Sequence, residues 1–383
     1  MRVGGQKPAA DNRAMRQPHP FFLHAWLGAL LLFMLAPWLP AHASGADWDQ
    51  ALDRIEAQGL NIHSVLVMHG DRLVAERYRS GQDRGLYSLW SSRRHFGPDD
   101  LHDMRSISKS VVGLVYGVLL ARQEVPGLDT PVASLYPDHP ALDQPPKNAI
   151  RIRDLLTMSA GLAWDEPSPV RRTPDDDQTP LVWTSSFYAT VFGREVVARP
   201  GETFVYSGGL TSVLVDVIER STGRPWAEVV DTELFQPLGI QTWTWSRDLR
   251  GRPLAHAGLR LRPRDLLKIG VLVLQQGRWQ GRQLVPSAWV EAATSTQIRA
   301  SARLGYGYQW WTSEQTVAGQ SWPVIQAIGN GGQRLYVVPG LDLVVAMTAG
   351  DYGQPDILAA EDDLFAALLG LAAREAQPAA TAR

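Results

Sequence analysis

Two apolar runs, His63-Ser64-Val65-Leu66-Val67-Met68 and Leu73-Val74-Ala75-Glu76-Arg77-Tyr78, flank a Gly70-Asp71 turn, and this spacing predicts a β-hairpin. Residues 79–103 are polar and Gly-rich and read as a long connection. The next stretch, 106–121, is apolar almost all round, with Ile107, Val111, Val112, Leu114, Val115, Val118 and Leu119. A helix of that pattern is buried rather than amphipathic. From about 130 to 253 the chain reads helical and loop-rich, with helices over 153–158 and 211–219. Residues 171–180, carrying Asp175-Asp176-Asp177, read as a solvated loop and not as a carboxylate metal site. A helix over 263–274 precedes two strand-like runs, 333–338 and 341–346, turned at Pro339-Gly340. A last apolar helix covers 362–373, and the Ala- and Pro-rich tail is expected to be disordered. No internal repeat is visible.

Strands therefore fall near both ends of the chain, with helices between them. That order predicts an α+β fold, an antiparallel sheet flanked by helices with a helical lobe inserted over about 130–255. One domain is expected over 44–375, followed by a tail at 376–383.

The N-terminus follows a different pattern. Basic residues precede the apolar run Ala25-Trp26-Leu27-Gly28-Ala29-Leu30-Leu31-Leu32-Phe33-Met34-Leu35, and Ala41-His42-Ala43 follows it. A positive segment, a short apolar core and an A-x-A site describe a secretory signal peptide over 1–43, with Met15 as a possible alternative start. The run is about half the ~20 residues a bilayer span needs, and an uncleaved anchor helix is the alternative. The expectation is a periplasmic or secreted protein that meets the membrane only through this segment.

Composition narrows the chemistry. The formal net charge is −2 and no basic stripe appears, so nothing points to nucleic acid. The chain has no cysteine, which removes disulfides, thiol nucleophiles and thiolate metal sites. The nine His show no ligand spacing. Of 37 Lys and Arg, only Lys7, Lys109, Lys147 and Lys268 are lysine. Each surviving lysine therefore invites a reason.

Lys109 has one. Ser106-Ile107-Ser108-Lys109 is a single S-x-x-K pattern at the mouth of the buried helix, and positions i and i+3 share a helix face. A serine hydroxyl needs a base to become a nucleophile. Lysine can serve if burial and the positive end of the helix lower its pKa, whereas arginine does not deprotonate. There is no G-x-S-x-G elbow and no H-E-x-x-H helix.

The sequence resembles the serine β-lactamase and penicillin-binding-protein-like hydrolases, in particular the branch with class C β-lactamases, esterases and 6-aminohexanoate-dimer hydrolases. The resemblance runs in order from about residue 60 to 370. It is carried by His102-Asp103-Met104-Arg105-Ser106-Ile107-Ser108-Lys109-Ser110, Ile152-Arg153-Asp154-Leu155-Leu156-Thr157-Met158-Ser159-Ala160-Gly161-Leu162 and Pro200-Gly201-Glu202-Thr203-Phe204-Val205-Tyr206-Ser207-Gly208-Gly209. Gln236-Pro237-Leu238-Gly239, Leu261-Arg262-Pro263-Arg264-Asp265-Leu266 and Gly329-Asn330-Gly331-Gly332-Gln333 continue it. It implies Ser106 as nucleophile, with Lys109 and Tyr206 as its catalytic partners. It also implies an oxyanion hole from the backbone N–H groups of Ser106 and Gln333, and substrate contacts at Gly208, Asn330, Gly331 and Gly332. Without the resemblance, Tyr206 reads as a half-buried aromatic after a turn.

Two positions depart from the family pattern. Gly208 stands where many members carry Asn, and Asn330 where β-lactamases and peptidases place Lys or His. Both favour a neutral ester or amide substrate, although Arg334 is an alternative source of charge. The implied activity is acyl transfer to water without metal or cofactor on a small-molecule ester or amide. The rivals are a β-lactamase or D-Ala-D-Ala carboxypeptidase, and a non-catalytic cell-wall or ligand sensor. His102 is expected to hydrogen-bond the helix entry, Trp310-Trp311 to pack in the core or line a pocket, and Asp165 and Glu166 to have no role.

Overall fold

Largely apolar runs form the centre of the sheet, because both of its faces are covered. The computed structural model describes residues 46–56, 59–166, 177–354 and 357–376. The expected signal segment, most of the acidic loop and the expected tail lie outside the described residues. Eight strands form one antiparallel sheet in the order β10-β11-β12-β13-β14-β15-β1-β2. They are β1 (Ile62–His69), β2 (Arg72–Tyr78), β10 (Ile298–Arg299), β11 (Gly305–Tyr306), β12 (Trp311–Val317), β13 (Gln320–Gly329), β14 (Gln333–Val338) and β15 (Leu343–Ala349). The expected α+β fold and the hairpin of β1 and β2 are present.

Successive side chains alternate between the two faces. Leu66, Leu335, Val337, Val344 and Ala346 join the core beneath α2 (Ile107–Ala121) and α7 (Pro263–Leu274). Val67, Tyr336, Val338, Val345 and Met347 join a second core with α1 (Ala46–Glu56) and α9 (Ile357–Ala376). Tyr336 stacks on Phe365 of α9 at 3.9 Å. No described helix is long and apolar enough to cross a membrane.

Between α2 and the return to the sheet lie α3 (Ile152–Leu156), α4 (Phe187–Phe192), α5 (Gly208–Thr222) and α6 (Trp226–Val230). α5 and α6 pack on α2, with Leu214, Val217, Ile218 and Trp226 in the shared core, and α3 and α4 pack on α5. The 79–103 stretch is not a plain connection. It holds a short antiparallel pair, β3 (Ser80–Asp83) and β4 (Ser92–His95), and ends in β5 (His102–Asp103), which pairs with β7 (Leu259–Leu261). The β12–β13 hairpin is a second addition that the apolar pattern does not announce.

Candidate active site

Ser106, the expected nucleophile, follows a bend. Met104 donates its N–H to Leu259 at 2.8 Å, and Arg105 then takes a left-handed φ of 51° that turns the chain into α2. A non-glycine residue in that region is strained and persists only where its surroundings hold it. Arg105 is held closely: its guanidinium lies 4.2 Å over the Tyr352 ring and donates to the Arg84 carbonyl at 3.1 Å. Ser106 stands at the helix N-cap, yet its side chain makes no capping bond. The residue is half-buried, and its hydroxyl faces the Lys109 amine.

One turn on, Lys109 is 1% exposed and uses all three ammonium protons. Nζ donates to Ser106 Oγ at 3.0 Å, to Glu166 Oε1 at 3.3 Å and to the His256 carbonyl at 3.2 Å. It also lies 4.6 Å over the Tyr206 ring. The expected lowering of the lysine pKa does not hold. Burial does push it down, but Tyr206 and Glu166 outweigh burial and raise it above its ordinary value. Lys109 is therefore an ammonium at rest, and Glu166 is its counter-charge.

Glu166 is the residue the sequence reading passed over. Its side chain is buried, with Oε2 accepting from Trp164 Nε1 at 2.9 Å and from the Gly208 N–H. Gly208 opens α5, so the carboxylate also meets the positive end of that helix. Its one sequence signal is an acidic residue just past the Met158–Gly161 turn.

Two resembling motifs bind each other to place Tyr206. Val205 N–H donates to the Met158 carbonyl at 2.8 Å, and Gly201 N–H to the Ser159 carbonyl at 2.7 Å. Met158 and Gly161 take left-handed φ values of 57° and 73°. The Tyr206 hydroxyl interacts with both Ser106 and Lys109. Burial raises its pKa, more than the Lys109 charge lowers it, so the phenol is neutral at rest. Trp311 packs 5.4 Å from the Tyr206 ring, whereas Trp310 is fully buried in the core. Trp311 also lines an open groove with Gln326 and Ile328.

The departures at Gly208 and Asn330 have local causes. A Cβ at Gly208 would come within 2.8 Å of the His256 ring, which fills the space an asparagine would need. His256 is buried, its Nδ1 has no partner, and burial with the Lys109 charge pushes its pKa down to about 3. Asn330 Oδ1 accepts from Gly353 N–H at 3.0 Å, and a Cβ at Gly331 would strike the Tyr352 ring at 2.3 Å. Gly332 and Gln333 are buried at the end of the turn, and Gln333 Nε2 donates to the Ala349 carbonyl. Arg334 is not free to offer charge, because Nη1 donates to the Gly329 and Gln333 carbonyls and Nη2 lies 2.6 Å from Glu361. His102 does not serve the helix entry either. It packs in a ring group with Phe96 at 4.8 Å and His63 at 5.4 Å, with Nε2 unpartnered. Among the described residues, no cluster of His, Asp and Glu is arranged to hold a metal ion.

A sheet of this order, with a Ser-x-x-Lys pair opening a buried helix beneath it, defines a β-lactamase/transpeptidase-like fold. The family model described as Beta-lactamase matches residues 48–368, and the chain belongs to that family. It is 27% identical over 303 residues to the 6-aminohexanoate-dimer hydrolase of Paenarthrobacter ureafaciens, covering 74% of this chain and 71% of that protein. It is 30% identical over 203 residues to esterase EstB of Burkholderia gladioli, covering 51% of this chain and 49% of the esterase. Among solved structures, the penicillin-binding protein homologue from Pyrococcus abyssi matches with a TM-score of 0.62 at 20% identity, over 84% of this chain and 77% of that one. The D-stereospecific amidohydrolase from a Streptomyces species gives 0.60 at 20% identity, over 82% and 98%. The protein is a serine hydrolase of the β-lactamase family.

Proposed function

We propose that the protein cleaves a small ester or amide through an acyl-enzyme on Ser106. The observation that carries this is the 3.0 Å contact from the sealed Lys109 amine to the hydroxyl of half-buried Ser106. At rest Lys109 is charged, so its base character depends on Glu166. As Ser106 attacks the carbonyl, its proton passes to Lys109 while Lys109 gives one to Glu166. The negative oxygen formed on the substrate falls to the N–H groups of Ser106 and Gln333, such donors being worth about 3–4 kcal/mol each. The Tyr206 phenol protonates the leaving group and is restored through Lys109, and water then releases the acid. Every step uses groups of this chain, without metal or cofactor.

Arg334 is committed inside the protein and Asn330 carries no charge, which favours a neutral substrate over an anionic antibiotic or peptide terminus. The relatives named as an esterase and a 6-aminohexanoate-dimer hydrolase agree with an ester or amide. Hydrolysis of p-nitrophenyl butyrate by the 44–383 chain, beside Ser106→Ala and Lys109→Ala, is the test. Both variants are expected to lose activity by about 10³-fold or more. Equal rates in all three proteins would remove Ser106 as nucleophile. Faster turnover of a chromogenic cephalosporin than of the ester would favour a β-lactamase.

A further inference from the structure

Asn330, Gly331 and Gly332 form the turn between β13 and β14, and the residues that bracket it are tied by one side chain. Arg334 Nη1 reaches both the Gly329 carbonyl, at 3.2 Å, and the Gln333 carbonyl, at 3.0 Å. Gly329 and Gln333 are register partners, so this nitrogen pins the two stems of the turn together. The turn also abuts the nucleophile bend, since a Cβ at Gly329 would lie 2.4 Å from the Met104 carbonyl. The other end of the guanidinium lies against Glu361 in α9. Arg334 is 4% exposed and Glu361 0%. The carboxylate has no hydrogen bond of its own, only this ion pair. Breaking such a pair is costly, yet an apolar pair would fill the space more cheaply. A buried charge pair kept at this position calls for a use beyond packing.

We propose that Arg334 and Glu361 form a positioning clamp that fixes the Gly329–Gln333 turn, and with it the Gln333 N–H, in the geometry that receives the oxyanion. The clamp rests on the acyl-enzyme reading given above. It acts through the backbone and touches no substrate. Glu361 holds the guanidinium from the face of the sheet opposite α2, so α9 contributes to the site without approaching it. A donor displaced by a few tenths of an ångström loses transition-state stabilisation while ground-state binding is kept.

The experiment compares wild type, Glu361→Gln and Arg334→Lys, with Ser106→Ala as control, in p-nitrophenyl butyrate hydrolysis and in inhibition by a phenylboronic acid. The boronate forms a tetrahedral adduct on the serine and so reports the oxyanion site directly. Both variants are expected to lose about tenfold or more in kcat with KM changed less than about threefold. Boronate affinity should fall in parallel with kcat. Arg334→Lys keeps the charge but not the fork, so it should not restore activity. Glu361→Gln preserves shape and keeps the test informative if Arg334→Lys fails to fold. Wild-type kcat and boronate affinity in folded variants would overturn the clamp. A change confined to KM for anionic esters would also overturn it, making Arg334 a substrate-binding residue. If Ser106→Ala stays active, the acyl-enzyme reading itself has failed; if it is dead while both variants match wild type, only the clamp falls.

Discussion

At the scale of single residues, the site is organised by a charge that its motif does not contain. Lys109 donates three bonds and its pKa is raised, so the Ser-Lys pair at rest is a stored ammonium rather than a waiting base. Glu166 makes the difference between the two. Glu166→Gln keeps the shape but removes the carboxylate that the proposed mechanism uses as proton acceptor behind Lys109. It is expected to lower kcat for p-nitrophenyl butyrate by about 10²-fold, with KM within about threefold. Steady-state rates check this, and an unchanged kcat would leave Glu166 a structural partner only. Sequence made Ser106 and Lys109 legible because helical spacing alone brings i and i+3 together. Glu166 and His256 were not legible, because they lie 57 and 147 residues from Lys109 and meet it only through the fold.

At the scale of elements, two loops with left-handed residues set the position of Tyr206. Gly161 has φ 73°, and a Cβ there would come within 2.2 Å of the Ala198 carbonyl. Gly161→Ala is expected to lower the stability by about 1–3 kcal/mol, read from thermal or urea unfolding. A melting temperature equal to wild type would show that the 158–162 bend can relax. A second element-level prediction concerns acid. His256, His102 and His63 are buried, and all have pKa values held below the ordinary 6.5, chiefly by desolvation. In the unfolded chain they take protons that the folded chain refuses. Their contribution is therefore complete above pH 6.5 and is lost as pH falls, for His256 down to about 3. Glu361 acts the other way: burial raises its pKa to about 7 from 4.5, so its ionisation costs stability at neutral pH and the cost fades as pH drops. Asp154, Glu219, Asp351 and Asp362, also raised by burial, act with Glu361 but from ordinary values of 3.8 to 4.5. The three imidazoles therefore lead between pH 7 and 5: the melting temperature is expected to fall, and His102→Phe should flatten that slope. An identical slope in the variant would show that the ring group does not control acid stability.

At the scale of the whole molecule, the sheet core was legible where both faces are covered. The β14 and β15 strands are buried at every position and are apolar apart from Gln333, Arg334 and Thr348. β12 was hidden because its Ser313, Glu314, Gln315 and Thr316 face outward or half outward along an edge region of the sheet. β3 and β4 were hidden for a related reason: Ser80-Gly81-Gln82-Asp83 and Ser92-Arg93-Arg94-His95 carry no apolar alternation at all. Their pairing is held by backbone bonds, and their packing by neighbours such as His63 and Phe96.

The strand order also has a consequence for how the chain is made. β1 lies between β2 and β15, with Val67 opposite Val345 and Val65 opposite Met347. The first hairpin leaves the ribosome with one long edge unmatched, and its partner is, among the described residues, the last strand to be synthesised. Long-range pairing of this kind closes late and slowly. A nascent chain halted anywhere before Leu343 therefore carries an open sheet edge, the surface that chaperones and aggregation compete for.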